Sequence, residues 1–574
     1  MSRNPRGRRV VRFALLLLPG ALSVISCNAL VDTDVEQCQT TDDCVAKGPA
    51  FAGSVCSPDK ICTLGGDCTS NQECIDRFEG QLAICRQPDR VCVTLKSQDC
   101  KQVFPEDAVS EEGTIVLGFM GALEGEFIGN GLPMWEGVQL AVNQLDTFAK
   151  GLPLPDGVSR RRLAFVACHD LDDPVRAASH LVQTLKVPAI VGPGFSGVTL
   201  DVAKKVSIPG GTLLISPSAT STAITDLQDN GLVWRTAPSD ALQAIPLAQL
   251  VSDVEANVRK ARGLAQTDSI RVSVAVKSDA YGLGLATAVL EKVKFNGKSA
   301  LDPANSTFFL RQDYPDPSEQ PSFDFDKGVV QPILTFKPDI LLALGTTETV
   351  TRVLDPVEAG ASGNKPVYIL ADGGRDDALL ALVDANNALA QRIVGTLPGR
   401  TTGLFAQFES EFKGFHQQKA PGSYADTAYD AAYLLAYSVV AVNDAVMTGA
   451  KFNDGLKKMV GGTKVSAGTT GINQALSLLQ EKKNIDYDGI SGPLDFDVST
   501  GEAPADIVVW CTGLNANSVA EFKTSGQYYD ALQNAVTGTR STCTGLVGSG
   551  GISGASGTGG TSGTGGASGG TGGA

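Results

Sequence analysis

Short apolar segments alternate with longer segments of helical spacing from residue 114 onward, and this alternation restricts the fold more than any other feature. The apolar segments form two sets, over 114–119, 163–167, 189–191 and 212–215, and over 270–276, 339–344 and 366–371. Strands that are apolar on both sides are typical of parallel sheets with helices on both faces. The two sets predict an α/β protein with two doubly wound lobes and a cleft between them. Ligands of such sheets bind beyond the carboxyl ends of the strands.

The segment over 189–200 continues from a strand through a glycine-rich turn into the start of a helix. Free N–H groups at a helix start, together with the helix dipole, favour an anion there. Gly192, Gly194 and Gly197 have the spacing of a dinucleotide-binding turn. However, Pro193 removes one N–H group from the turn, and no acidic residue follows the next strand to bind a ribose. The sequence therefore disfavours a dinucleotide and leaves either a small anion or a helix cap without a ligand.

Composition excludes several classes of function. The formal net charge of the 574 residues is −15, which argues against nucleic acid as a partner. The sequence contains only three histidines, His169, His180 and His416, which makes a histidine metal site or a Ser-His-Asp triad improbable. We identify no nucleophile–base pair, metal cluster or phosphate loop in the sequence. The sequence therefore predicts no catalytic residues, no metal and no cofactor, and an enzyme is the least favoured hypothesis.

The N-terminus has the pattern of an export signal. Five arginines precede the apolar run Phe13–Leu18, which predicts a secretory signal peptide over 1–27. The run is too short to span a membrane. Leu22–Cys27 resembles a bacterial lipobox, so we expect Cys27 to carry a lipid, with ordinary signal cleavage nearby as the alternative. This predicts an exported protein that is lipid-anchored in the bacterial cell envelope, in the periplasm or at the outer membrane.

Residues 28–100 form a cysteine-rich segment in which two modules, 38–62 and 68–92, repeat the same spacing. An even cysteine count per repeat in an exported chain predicts disulfides, and the absence of C-x-x-C pairs argues against zinc. Each module is too small for a core of its own, and its role is either a spacer or a protein-contact surface. Four further cysteines allow two more disulfides, which can be connected in three ways. One of these ways pairs Cys511 with Cys543. The candidate disulfide cysteines are Cys38, Cys44, Cys56, Cys62, Cys68, Cys74, Cys85, Cys92, Cys100, Cys168, Cys511 and Cys543.

The chain from Thr114 to about Ala505 resembles the leucine/isoleucine/valine-binding family of type I periplasmic binding proteins. This resemblance implies two lobes joined by a hinge, at about 113–243 with 372–480 and at about 244–371 with 481–540, within a binding domain over 113–540. The glycine- and serine-rich composition after residue 545 predicts a disordered tail over 545–574. The resemblance rests on five motifs in register: Asp170–Pro174, Ile190–Ser196, Leu214–Ser221, Val233–Asp240 and Asp279–Gly282. Late in the chain, Gly492–Gly501 also resembles the closing hairpin of the family.

The resemblance also implies a ligand and a site. In this family a zwitterionic amino acid lies between the lobes, with its carboxylate at a helix start and its ammonium beside a threonine and an acidic side chain. We expect the acidic partner in the apparent insertion 312–325, where Asp313, Asp316 and Glu319 are candidates. The motifs imply ligand-binding residues at Ser196, Ser218, Ala219, Thr220 and Tyr281, and the resemblance also implies that Tyr424 is the aromatic residue of the side-chain pocket.

The leading hypothesis is the substrate-binding lipoprotein of an ABC-type uptake system that binds a small polar ligand, expected to be an amino acid of the branched-chain type. Its partners would be that ligand, an ABC permease or another envelope protein, and the membrane through a lipid anchor. The alternative is an envelope sensor or scaffold lipoprotein that uses the same fold for ligand-dependent protein interaction. The additional cysteine modules favour this alternative somewhat, because a simple carrier does not need them.

Overall fold

A computed structural model of the protein describes residues 68–154, 156, 158–399 and 403–548, together with 38–40, 43–44, 46–48, 54–56, 60 and 62–64. These residues fall into two units, within Met1–Gly66 and within Asp67–Ala574. The predicted signal peptide, with Cys27, and residues 549–574 of the predicted tail lie outside the described residues. No helix within the described ranges is both long enough and apolar enough to cross a bilayer.

Helices and strands are numbered here in chain order over the described residues. The helices α1–α13 span Asn71–Arg77, Ile128–Ala149, Pro174–Ser179, Ser196–Val202, Asp240–Arg262, Ala280–Leu290, Gln331–Phe336, Asp355–Gly360, Asp377–Ala385, Gly403–Phe415, Ala425–Val442, Gly449–Leu456 and Ile472–Gln480. The strands β1–β12 span Ser54–Cys56, Cys62–Leu64, Ala83–Arg86, Val91–Thr94, Cys100–Phe104, Ile115–Gly121, Leu152–Pro153, Arg160–Arg161, Leu163–His169, Ala189–Val191, Leu213–Ser216 and Val233–Arg235. The strands β13–β24 span Val272–Lys277, Lys294–Phe295, Lys298–Ser299, Phe309–Tyr314, Ile340–Leu344, Val367–Leu370, Ile393–Pro398, Thr463–Ser466, Ile485–Asp488, Ile507–Leu514, Ala520–Asp530 and Ala535–Gly538.

The first unit contains the first cysteine module. Its strands β1 and β2 form an antiparallel hairpin. Cys38 is bonded to Cys56, and Cys44 is also disulfide-bonded. The Cys38 N–H group donates to the carbonyl of Lys60 at 3.1 Å. Covalent links therefore hold this small unit, as expected where apolar burial is too small to do so.

The second cysteine module is built into the first lobe. Disulfides Cys68–Cys85 and Cys74–Cys92 join α1 to the β3–β4 hairpin. Ile84 of this hairpin is buried in the same apolar cluster as the lobe. Its neighbour Arg86 donates from Nη1 to the carbonyl of Thr184 at 2.5 Å, and Asn71 Nδ2 donates to the carbonyl of Val109 at 2.9 Å. This module therefore packs against the first lobe and is hydrogen-bonded to it, rather than forming a separate spacer.

The first lobe is organised around a six-stranded sheet with the order β12-β11-β10-β6-β9-β5. Five strands are parallel, and β5 pairs antiparallel with β9 at the edge, where Cys100 is bonded to Cys168. One face of the sheet packs against α2 and α10–α13, and the other face packs against α3 and α4. Asp173 caps α3 by accepting from the N–H group of Arg176, as the Asp-Pro sequence predicts.

The second lobe is organised around an eight-stranded sheet with the order β16-β13-β17-β18-β19-β22-β23-β24. The strands up to β19 are parallel, whereas β22–β24 are antiparallel. Helices α5 and α6 cover one face, and α7–α9 cover the other. Cys511 of β22 is bonded to Cys543. The architecture confirms the predicted α/β class with two doubly wound lobes.

The lobe boundaries differ from those expected. Residues 377–398 were expected in the first lobe, but α9 and β19 belong to the second, because β19 pairs with β18 and β22. Residues 485–503 were expected in the second lobe but pack into the core of the first. The predicted tail also starts too early. Gly545–Val547 form a helical turn, and Val547 is buried against the second lobe, so the packed chain continues to Gly548.

Candidate functional site

A small cavity lies between the two sheets, where the carboxyl ends of their strands meet. The first lobe contributes the turn after β10, the loop after β11 and the start of α2, and the second contributes the segments after β13, β17 and β18. This is the position at which parallel α/β sheets bind ligands. The polar residues that line the cavity include Ser196, Ser218, Tyr281, Thr346, Asp372 and Tyr424.

Asp372 provides the carboxylate of the cavity, and it is only 4% exposed. Its Oδ1 accepts hydrogen bonds from Gln243 Nε2 at 2.7 Å and from the Tyr281 hydroxyl at 2.8 Å, while Oδ2 accepts from the Tyr424 hydroxyl. A carboxylate offers about four acceptor positions. Three side-chain donors therefore bind this carboxylate, two at Oδ1 and one at Oδ2.

The electrostatics of this group favour a cation. Burial raises the pKa of Asp372, and hydrogen bonds from Tyr424, Tyr281 and Gln243 oppose that rise. Asp240 lies nearby at the start of α5, and burial followed by the charge of Asp372 raises its pKa to about 8. Burial and the adjacent carboxylates raise the pKa values of Tyr281 and Tyr424 well above the ordinary range. Both phenols therefore remain neutral donors beside acidic groups.

Ser196 and Ser218 lie on the opposite wall of the cavity, in the first lobe. Ser196 is the first residue of α4, and its hydroxyl accepts from the N–H group of Ser221 at 3.2 Å. The Ser218 hydroxyl donates to the carbonyl of Gly194 at 2.9 Å. Gly192 holds the turn before α4 at a φ of +106°, and a Cβ atom there would lie 2.1 Å from the carbonyl oxygen of Met120. The turn that presents the start of α4 therefore requires glycine at this position.

Ala219 and Thr220 lie behind this wall and do not line the cavity. The N–H group of Ala219 donates to Ser216 Oγ at 3.1 Å, and its carbonyl accepts from Arg235 Nη1 at 3.3 Å. Thr220 is 1% exposed, and its carbonyl accepts from the N–H group of Asp240 at 2.8 Å. In this conformation both residues support the wall rather than face a ligand.

The three acidic residues expected to bind an ammonium lie elsewhere. Asp313 pairs with Arg311 at 2.7 Å on the surface, Glu319 is exposed, and Asp316 pairs with Lys277 Nζ at 2.8 Å. None of them lines the cavity. The acidic residue that does line it is Asp372, which follows a strand predicted from the sequence and could have been found from that position alone.

A sequence model of the family described as "Periplasmic binding protein" matches residues 114–507, which is more than half of the chain. The chain belongs to the periplasmic binding protein family. The relatives reported below are solute-binding proteins rather than enzymes. No curated protein sequence matches the chain.

Solved structures of other periplasmic binding proteins share the fold. LivJ of Streptococcus pneumoniae, a branched-chain amino acid transporter substrate-binding protein in complex with isoleucine, is 18% identical with a TM-score of 0.52, over 72% of this chain and 99% of that chain. The leucine-binding protein LivK of Thermotoga maritima is 17% identical with a TM-score of 0.51, over 72% and 98%. A solute-binding protein of an ABC transporter from Rhodopseudomonas palustris, in complex with 3,4-dihydroxybenzoic acid, is 15% identical with a TM-score of 0.52, over 73% and 98%.

Lys277 joins the two lobes of this periplasmic binding protein beside the cavity. It ends β13 of the second lobe, is 3% exposed, and its Nζ lies 2.8 Å from Asp316 Oδ2 and 3.3 Å from Asp279 Oδ2. The same atom lies 5.7 Å from the ring centre of Phe127 and 5.8 Å from that of Phe195, both in the first lobe. Nearby carboxylates outweigh burial and raise the pKa of Lys277, so it remains a cation over two aromatic faces. In the sequence, Lys277 could have been recognised as a site residue because it is a charged residue at the end of an apolar strand.

Further contacts hold the periplasmic binding protein closed around the cavity. The Ser221 hydroxyl donates to the carbonyl of Ala280 at 2.8 Å. The Thr347 hydroxyl lies 3.0 Å from Asn130 Oδ1. These contacts cross from one lobe to the other without a ligand between them. The described conformation therefore has the two lobes in direct contact beside the cavity, and two-lobed proteins of this kind open and close about a hinge.

Proposed function

We propose that this chain is the solute-binding component of an ABC-type uptake system and that its ligand is a free α-amino acid held between the lobes. The observation that carries the proposal is the buried carboxylate of Asp372, which lines the cavity and forms no ion pair with any residue that the structure describes. A buried carboxylate without a cationic partner is unfavourable. A ligand ammonium would supply that partner.

The carboxylate of the ligand would bind on the opposite wall. The first N–H groups of a helix have no partner within the helix, and the dipole favours negative charge at that end. The helix that begins at Ser196 continues through further helical turns to Gly210, so its start offers these groups to the cavity. Ser196 and Ser218 would then lie beside the carboxylate of the ligand, and Tyr281 and Tyr424 beside its ammonium.

Asp372→Asn is the variant that tests the site. Truncating one partner of a buried charge pair costs about 2–5 kcal/mol, so we expect the Kd for L-alanine in calorimetric titration to rise at least about 30-fold. Asp313→Asn is the matched control, because Asp313 is an exposed acid that does not line the cavity. The proposal fails if Asp372→Asn binds amino acids as the unmodified protein does, or if no amino acid binds the unmodified protein.

The lipid anchor is proposed from the sequence pattern at Leu22–Cys27 alone. Cells that express the full chain with radiolabelled palmitate should yield a labelled protein in the membrane fraction. The Cys27→Ser variant should lose the label. If the unmodified protein is unlabelled, the attachment at Cys27 is wrong, whatever the outcome of the ligand experiments.

A further inference from the structure

The closed cavity is small. Its open volume is about 40 Å³, and because one water molecule needs roughly 10–15 Å³ of such space, it holds about three waters. Glycine alone has five non-hydrogen atoms, so each atom of a larger side chain requires further displacement of the cavity walls. A branched aliphatic side chain would need space that the closed lobes do not provide.

Phe195 is the aromatic residue of the first-lobe turn that lines the cavity. It lines the cavity and directly precedes Ser196, where the ligand carboxylate is proposed to bind. Its ring meets that of Phe127 edge-on, with the centres 6.0 Å apart and the planes at 80°. Lys277 lies over both rings from the other lobe and is itself held by Asp316. The Phe195 ring is therefore contacted by Phe127 and Lys277, although part of the residue stays exposed.

Met134 closes the neighbouring part of the wall. It is 2% exposed, and its sulfur lies 3.2 Å from the Ser218 hydroxyl. A Cβ atom added at Gly194 would lie 2.7 Å from Met134 Cε and 3.0 Å from Ser218 Oγ. A methyl group there would displace the end of the Met134 side chain, so this part of the wall is closely packed. Interiors packed in this way respond to a single added methylene.

We propose that the ligand class is α-amino acids with no side chain or a one-carbon side chain, such as glycine, alanine and serine, and that Phe195 is the residue that sets this preference. The proposal rests on the function proposed above and narrows it. It departs from the branched-chain ligand that the family resemblance implies, because Phe195 and Met134 fill the space that such a side chain would occupy.

Calorimetric titration of the purified mature protein with glycine, L-alanine and L-leucine tests the proposal directly. One methylene in an apolar pocket changes affinity about 10–200-fold, so L-alanine should bind at least 10-fold more tightly than L-leucine. Phe195→Ala should reverse this order by strengthening L-leucine binding and weakening L-alanine binding. Phe148→Ala is the control, because Phe148 lies on α2, is 55% exposed and does not line the cavity.

The outcomes separate the two proposals. If the unmodified protein binds L-leucine as tightly as L-alanine, the size preference is wrong while the amino acid function stands. If Phe195→Ala melts like the unmodified protein but keeps its order of affinities, Phe195 does not set the preference. Should Phe195→Ala fail to fold, Phe195→Leu replaces it, and the three titrations of the unmodified protein still decide the ligand class. If none of the three amino acids binds, the amino acid function is itself overturned.

Discussion

Replacement of Lys277 by methionine tests the closed conformation through stability and binding together. The change keeps an unbranched side chain but removes the cation that lies between Asp316 and Asp279 at 2.8 and 3.3 Å. Breaking a buried ion pair costs about 3–5 kcal/mol when it leaves an uncompensated charge. The two aspartate side chains are 17% and 20% exposed, so water reaches them in part and the lower end, about 3 kcal/mol, applies.

The same change removes the lysine from the rings of Phe127 and Phe195. At 5.7 and 5.8 Å these contacts are close to the longest distance at which a cation–π interaction acts, so each contributes about 0.5–1 kcal/mol to closure. If only the closed form binds ligand tightly, the Kd should rise about 5–30-fold. The unfolding temperature should fall by about 6–12 °C, since 1 kcal/mol corresponds to about 2–4 °C in a domain of roughly 150–250 residues.

The assay combines thermal unfolding with calorimetric titration of L-alanine. Lys327→Met is the matched control, because Lys327 is a surface lysine that pairs with Asp324 and lies outside the cavity. It should leave both measurements unchanged. An unchanged unfolding temperature for Lys277→Met would refute the buried ion pair. A lowered unfolding temperature with an unchanged Kd would refute the role of Lys277 in closure.

Two further predictions concern buried carboxylates. Burial alone would raise the pKa of Glu358, but hydrogen bonds from Arg392 and Lys365 outweigh burial and hold this pKa below the ordinary glutamate value. Glu358 therefore stabilises the fold at a pH above the ordinary glutamate pKa, and this stabilisation is lost as the pH falls through the lowered pKa. Glu358→Gln should lower the unfolding free energy by about 3 kcal/mol at neutral pH, and denaturant titrations should show the difference shrinking below about pH 4; a constant difference would contradict this. The pKa of Asp240 is raised to about 8, so its stabilising contribution is present below the ordinary aspartate value and is lost as the pH rises through about 8. Asp240→Asn should therefore melt increasingly above the unmodified protein between pH 5 and pH 9, and a gap that narrows over this range would contradict the assignment.

The strands of the sheets could be predicted because their signal is local. The runs over 189–191 and 340–344 are apolar on both sides, and the structure places strands there almost as predicted. The lobe assignment of β19 could not be predicted in the same way. This strand pairs with β22, which begins at Ile507 and lies more than a hundred residues later, and no local pattern specifies a pairing over that separation.

The site was predicted in part, for a related reason. Ser196, Ser218, Tyr281 and Tyr424 each carry a family motif, and the structure brings all four to one cavity. The acidic candidates of 312–325, Asp313, Asp316 and Glu319, do not line this cavity, whereas Asp372 does. Position after a strand is a stronger signal than composition, because the carboxyl ends of parallel strands converge on the ligand. Asp372 has that position.

A small ligand creates an energetic problem that the direct contacts between lobes address. The best small ligands gain at most about 1.5 kcal/mol per non-hydrogen atom, so glycine or alanine offers little free energy with which to close two large lobes. Contacts between the lobes, such as Lys277 over Phe195 and Ser221 to the carbonyl of Ala280, lower the cost of closure before the ligand contributes. A larger closed fraction raises the apparent affinity in proportion. Under the proposed size preference, Phe195 would therefore both exclude a branched side chain and, through its contact with Lys277, contribute to closure.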